Sequence, residues 1–319
     1  MDAFSSMLAT LETNPLTNVP LILAVMGLLA FVEAFAPLSK RGAWTKAHRI
    51  PNLVLTGITF ASYLLFNAAM VLVLPRLGAS RAGLLHYVAL PSEISALVAV
   101  LVLDLSFYVA HRSMHTVGLF WRFHSVHHSD PAVDVTTTLR QHPGESLIRF
   151  AFIAAFAVPL GASAGQLALY RVLQALSGLA EHANFRVPLA VDRALALVFS
   201  WPNMHKVHHS RDVRFTDTNF GNIVSWWDRL FGTFTPSRCG VSVEYGLDGL
   251  DDPRSQTITG LLLMPWQLDG RTRAPRPSRL ACETDAAPAS NSVPRPYKKS
   301  VDCEANSDEV PHRGWASGA

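Results

Sequence analysis

Two copies of one five-residue pattern dominate the chemistry this sequence can do. They are His124-Ser125-Val126-His127-His128 and His205-Lys206-Val207-His208-His209, with a further pair, His111 and His115, just before the first. On a helix, positions i, i+3 and i+4 share one face. Each run therefore turns three imidazoles to one side, and the pair adds two more. Neutral imidazole is the commonest protein ligand for borderline transition metals. These eight histidines exceed what one four-coordinate zinc needs and suit two ions in one pocket. Of the 13 histidines in the 319 residues, ten lie between His111 and His209, a concentration that chance does not produce.

The elements that must position them are apolar. Hydrophobic residues make up 49% of the chain and charged residues 16%, which points to a membrane protein. The formal charge of +3 is too small to argue for nucleic acid. Cys239, Cys282 and Cys303 are widely spaced and odd in number, so they suggest neither a disulfide framework nor thiolate ligands.

Residues 1–18 read as a polar, interfacial lead-in without the basic start of a signal peptide. Apolar segments follow at Val19–Leu38, Leu53–Leu74 and Ile94–Ala110, the last interrupted by Asp104. Phe150–Tyr170 is broken by Pro159, Gly161 and Gly165, and reads as one kinked span or a helical hairpin continuing through Ala180. The hairpin returns the chain to the side it left, which suits His142 before the segment and His182 after it. Arg171 argues for a shallow hairpin, because an unpaired mid-membrane charge is costly. Lys40, Arg41, Lys46 and Arg49, then Arg112, Arg122, Arg140 and Arg149, place the histidines on the cytoplasmic side by the positive-inside rule. Residues 219–234 read as an interfacial aromatic belt or as a cap over the metal pocket. Ile258–Trp266 is too short to span, and from about Asp269 the composition predicts disorder. The expected organisation is N-terminal spans over 1–90, a catalytic domain over 91–236, a C-terminal segment packing on it over 237–268, and a tail over 269–319. The expected fold class is all-α, a polytopic membrane protein with a cytoplasmic histidine-rich di-metal cap.

Taken together, His111-Arg-Ser-Met-His115, His124-Ser-Val-His-His128 and His205-Lys-Val-His-His209 resemble the fatty acid hydroxylase/sterol desaturase superfamily. Thr137-Thr-Leu-Arg-Gln-His142-Pro-Gly-Glu145, Glu181-His182-Ala-Asn184, Asn219-Phe-Gly221 and Trp227-Asp-Arg-Leu-Phe-Gly-Thr233 stand where that superfamily carries like motifs. The resemblance covers about Ile94 to Pro236. It implies an integral membrane enzyme with a non-haem di-iron centre, using O2 and two electrons to hydroxylate or desaturate an unactivated lipid C–H bond. It also implies His111, His115, His124, His127, His128, His142, His182, His205, His208 and His209 as metal ligands. Some relatives carry a further histidine four residues before His182, where this chain has Gly178.

Removing hydrogen from an alkyl chain needs an oxidant that no side chain supplies, hence a redox metal. Carboxylates orienting the imidazoles are expected among Asp104, Asp130, Asp134, Glu145, Glu181, Asp217 and Asp228. Asp104 leads, being a charge in an apolar run two helical turns before His111, and Glu181, beside His182, comes next. With no flavin, nucleotide or haem motif in the chain, electrons must come from a separate donor, a ferredoxin or a cytochrome b5-like protein with its reductase. A desaturase with the same centre is the nearest alternative. A zinc hydrolase would need a general base such as the Glu of H-E-x-x-H, which is absent. A non-catalytic metal-binding membrane protein would not need its histidines bunched outside the spans.

Overall fold

The computed structural model describes residues 3–13, 18–38, 48–76, 83–185, 187–237, 243–250 and 252–268. Among them every regular element is helical, and only isolated β-bridges occur. The helices that matter here are α1 (Ala3–Thr13), α2 (Val19–Phe35), α3 (Arg49–Arg76), α4 (Ser92–Thr116), α5 (Gly118–His128), α6 (Pro143–Leu160), α7 (Ala164–His182), α8 (Pro202–His208), α9 (Trp226–Leu230) and α10 (Ile258–Gln267). The segment beyond residue 268, expected to be disordered, lies outside the described residues, as does the basic loop of Lys40, Arg41 and Lys46.

Helices α3, α4 and α6 each contain a stretch long and apolar enough to cross a membrane. The first apolar segment falls short of the expectation. Helix α2 has 17 residues, about 26 Å of rise against roughly 30 Å of hydrocarbon. The broken segment resolves as two helices. Pro159 lies near the end of α6, and Gly161 closes it at φ 74, a left-handed conformation that costs glycine little. Two residues on, Ser163 caps α7 in a reciprocal capping box with Gln166. Both helices then pack on α4, with Ile153, Ala157 and Leu160 of α6 and Leu167 and Tyr170 of α7 meeting Ala99, Val100 and Leu103.

Helix α1 crosses α7 at Gly165, where an added Cβ would lie 2.7 Å from the Leu8 carbonyl oxygen. Helix α2 packs Ile22 and Met26 against Leu179 of α7 and Val135. Leu55 of α3 and Val126 of α5 close a third cluster with Leu261 and Met264 of α10. Leu28 and Phe31 of α2, Leu65 of α3 and Leu97 of α4 remain exposed on the outer faces. Such apolar exposure on long helices suits lipid contact. Inward, α4 buries Asp104, Ser106, His111 and His115.

Candidate metal centre

Four helices deliver the histidines. Helix α4 supplies His111 and His115 one turn apart, and α5 supplies His124, His127 and His128. The last residue of α7 is His182, and α8 brings His205 and His208, with His209 at its C-cap. All nine are buried. They sort into two groups, His111, His115, His124, His128 and His208 in one, and His127, His182, His205 and His209 in the other. Within each group the candidate ligand atoms lie within 4.8 Å of one another. Each H-x-x-H-H run is therefore shared between the groups: its i and i+4 residues go to one and its i+3 residue to the other.

The Nε2 atoms face each other at close range. The pairs His111–His124, His115–His128, His127–His182, His182–His205, His182–His209 and His205–His209 are each 3.1 Å apart. The far side of the rings fixes what those atoms carry. Nδ1 of His111, His182 and His208 meets the carbonyl oxygens of Phe220 (2.9 Å), Gly178 (2.8 Å) and Thr218 (2.8 Å). A carbonyl only accepts, so each Nδ1 holds the proton and each Nε2 is a bare lone pair. Burial, the largest influence, also drives His127, His128, His205 and His209 well below the ordinary imidazole range, so they are neutral. Converging lone pairs repel one another unless a cation lies between them. The donor set thus fits two metal ions in adjoining sites, one with five imidazoles and one with four.

Carboxylates brace the first group. Glu145 Oε1 lies 3.1 Å from His124 Nδ1 and takes Arg149 Nη2 at 2.8 Å. Asp217 Oδ1 lies 3.2 Å from His115 Nδ1. Asp104 does something other than orient an imidazole. It accepts from the backbone N–H of Ile223 (3.0 Å) and Val224 (3.2 Å) and from Trp227 Nε1 (2.9 Å). Asp228 likewise accepts from the N–H groups of Phe220 and Gly221 at 2.7 Å and 2.8 Å. Burial pushes its carboxyl up to about 6. These two carboxylates fold residues 219–233 into a cap whose Phe220 ring lies over His111, His115 and His208, while Trp226 and Leu230 stay exposed on its outside.

The structure places His142 outside both groups. It caps α6, its Nδ1 accepting from Gly144 N–H at 2.9 Å, and its Nε2 therefore donates to the Leu262 carbonyl at 3.2 Å. Both ring nitrogens are committed, and the ring packs against Phe123 and Trp266. Gly178, where some relatives carry histidine, contributes its carbonyl to His182 instead.

Sequence reasoning missed a buried polar network behind α5. Arg140 donates from Nε to the Val126 carbonyl (2.8 Å), from Nη1 to Asn52 Oδ1 (2.8 Å), and from Nη2 to Ser129 Oγ (2.7 Å) and Gln256 Oε1 (2.6 Å). His48 Nδ1 sits 3.2 Å from Asp130 Oδ1. Burial alone would raise the Asp130 carboxyl, but hydrogen bonding from His48 and the charge of Arg140 hold it well below the usual range. Each side chain is an ordinary polar residue in sequence, and only the packing of α3 on the 135–139 turn, beside the end of α5 and the 253–256 turn, makes them one network.

A cavity of about 140 Å³ opens from the metal centre between α2, α3 and α7. His111, His127, His182 and His205 line one end, with Glu181 and Asn222. The Asn222 amide donates to Glu181 Oε2 at 3.0 Å. Val19, Ile22, Phe60, Leu64 and Val172 give the rest a mainly apolar wall, interrupted by Tyr63, Gln141, Arg149, Arg171 and Gln174.

Residues 96–233, from α4 through the cap, match the fatty acid hydroxylase family. This part of the chain belongs to that family. All nine clustered histidines fall inside it. Alkylglycerol monooxygenase of Danio rerio is 31% identical over 164 residues, 51% of this chain and 35% of that protein. The ornithine lipid hydroxylase OlsE of Rhizobium tropici is 30% identical over 159 residues, 50% of this chain and 47% of that protein. Very-long-chain aldehyde decarbonylase GL1-8 of Oryza sativa subsp. japonica is 28% identical over 188 residues, 58% of this chain and 64% of that protein. Against the alkylglycerol monooxygenase and OlsE, the chain spans less than half of the relative's length. No solved structure matches it.

Proposed function

We propose that the protein is an O2-dependent, membrane-bound di-iron oxygenase that hydroxylates an unactivated C–H bond of a lipid. The observation that carries this reading is the two-group convergence of nine imidazoles at one end of an apolar cavity. Five imidazoles in one group exceed the tetrahedral shell usual for zinc. The relatives' names include a lipid hydroxylase and a monooxygenase, which supports the same reaction class. Iron held there supplies the oxidising equivalents from O2 that no side chain can.

The chain's own residues then have separable tasks. The nine histidines hold the metals as neutral Nε2 donors. Glu145 and Asp217 fix the rings of His124 and His115 from behind, as outer-shell carboxylates do. Asp104 acts as a positioning residue, holding the cap that brings the Phe220 and Thr218 carbonyls to His111 and His208. Glu181 presents a carboxyl group to the metal end of the cavity, pushed well above the usual carboxylate range by burial, with Asn222 fixing one oxygen. The apolar cavity wall excludes water from the alkyl chain.

The metal centre faces the cytoplasm in this reading, supported by Lys40, Arg41, Lys46, Arg49, Arg112 and Arg122. Arg140 and Arg149 do not bear on orientation, because both are spent in buried networks. Electrons come from a separate donor such as a ferredoxin or cytochrome b5-like protein, and the membrane is the bacterial inner membrane or the endoplasmic reticulum.

Elemental analysis and Mössbauer spectroscopy on protein purified from iron-supplemented cells test this. Two coupled irons per chain, lost in H127A and H208A, are the expected result. A single zinc that persists through iron reconstitution would overturn it.

A further inference from the structure

Among the described residues that line the cavity, Arg171 is the one cation without a structural explanation. It lies on α7 eleven residues before His182, about 16 Å along the helix axis. Arg171, Gln174, Ala175, Gly178 and His182 follow helical spacing along one cavity-lining face. The guanidinium carbon sits 5.1 Å from the centre of the Tyr63 ring, and Nη1 donates to Gln174 Oε1 at 3.3 Å. Among the described residues its buried Nε has no acceptor. Among the described residues no carboxylate lies within ion-pair distance of it.

The other cationic side chains nearby are accounted for. Arg149, also in the cavity wall, is neutralised by Glu145 at 2.8 Å and 2.9 Å. Arg140 is saturated by its own network. Arg171 instead stands half-buried among Val172, Leu64, Tyr63 and Gln174 in the cavity, with neutral neighbours and no counter-ion among the described residues. A planar guanidinium with free N–H groups matches a carboxylate or phosphate in two-pronged fashion.

We propose that Arg171 anchors the anionic end of the lipid substrate, a carboxylate or phosphate oxygen, with the alkyl chain running along α7 towards the metal centre. This rests on the oxygenase reading only in identifying the anchored lipid as the substrate. An extended polypeptide gains about 3.3–3.6 Å per three bonds. At that rate the separation corresponds to roughly fourteen bonds, so the oxidised carbon is remote from the charged end.

The test is equilibrium binding to the full-length, detergent-purified protein at pH 8. The probes are hexadecanoate, hexadecyl phosphate and uncharged hexadecanol. Wild type should bind at least one charged probe about tenfold or more tighter than the alcohol. R171Q should lose that preference while keeping its alcohol affinity and metal content, and R171K should keep most of it. Tighter binding of the carboxylate assigns a free acyl chain, and tighter binding of the phosphate assigns a phosphate-bearing lipid. Equal binding of all three probes by wild type overturns the proposal, as does an unchanged preference in R171Q. If R171Q fails to fold, the wild-type preference together with its retention in R171K carries the test, and its loss in a folded R171K counts against the anchor. Metal content of the same samples is read separately. Anion preference without iron would sink the oxygenase reading and leave the anchor standing.

Discussion

The two histidine groups are built from the same runs of sequence, yet they are braced differently. In the five-histidine group, His111 and His208 donate to backbone carbonyls, and His115 and His124 lie against Asp217 and Glu145. In the four-histidine group only His182 has such support, from Gly178. Among the described residues, the Nδ1 atoms of His127, His205 and His209 are buried without a hydrogen-bond partner. The second group also contributes three of the four histidines that line the cavity. One group is thus fixed by its surroundings, while the other is less braced where it meets the cavity. Outer-shell hydrogen bonds raise ligand basicity and fix ring orientation, so the two ions should differ in hold.

The sharpest way to break this comparison is graded chelation. Dialysis against a mild chelator should remove the ion of the four-histidine site first, leaving one metal per chain and no turnover. Simultaneous loss of both ions, followed by elemental analysis, would erase the distinction. Next in size, E145Q and D217N should weaken metal binding at the five-histidine site by about 10–100-fold. Chelator competition should show the other site unchanged. Smaller again, D104A leaves three cap donors without an acceptor and should cost about 3 kcal/mol of stability, read as a lower thermal midpoint. Metal binding in the folded fraction should weaken less than in E145Q or D217N, because Asp104 touches no imidazole and acts on His111 and His208 only through the cap's backbone carbonyls.

The smallest effect is in pH. The Asp228 carboxyl is pushed up to about 6 from an ordinary 3.8, so between those values the folded protein holds more protons than the unfolded chain. Stability attributable to this group is full below about pH 4 and is lost as pH rises towards 6. D228N should flatten the thermal midpoint across that window, and an unchanged slope would assign the effect elsewhere.

Much of the architecture could be read before any coordinates. Apolar runs located α3, α4 and α6, and Pro159 with Gly161 marked the break that separates α6 from α7. The residues around the histidines were harder. Glu145 and Asp217 were among seven candidate carboxylates with nothing in sequence to rank them above Asp104. Asp104 was singled out because a charge in an apolar run must be satisfied. That argument holds, but the satisfying partners are backbone N–H groups about 120 residues away. His142 matched a motif position, yet its ring nitrogens are consumed by a helix cap and the Leu262 carbonyl.

By itself, the sequence determined that each H-x-x-H-H run presents all its imidazoles to one side of a helix, because 3.6 residues per turn leaves no other outcome. It also determined that these rings lie beside apolar helices. Only the tertiary structure decided which of the two groups each ring joins. Position i+4 lies about 40° to one side of i and i+3 about 60° to the other, so His127 parts from His124 and His128, and His208 from His205 and His209. Helix crossing then sets which rings they meet. The carbonyls of Gly178, Thr218 and Phe220 that fix three of those rings leave no side-chain trace in a sequence, since every residue has one.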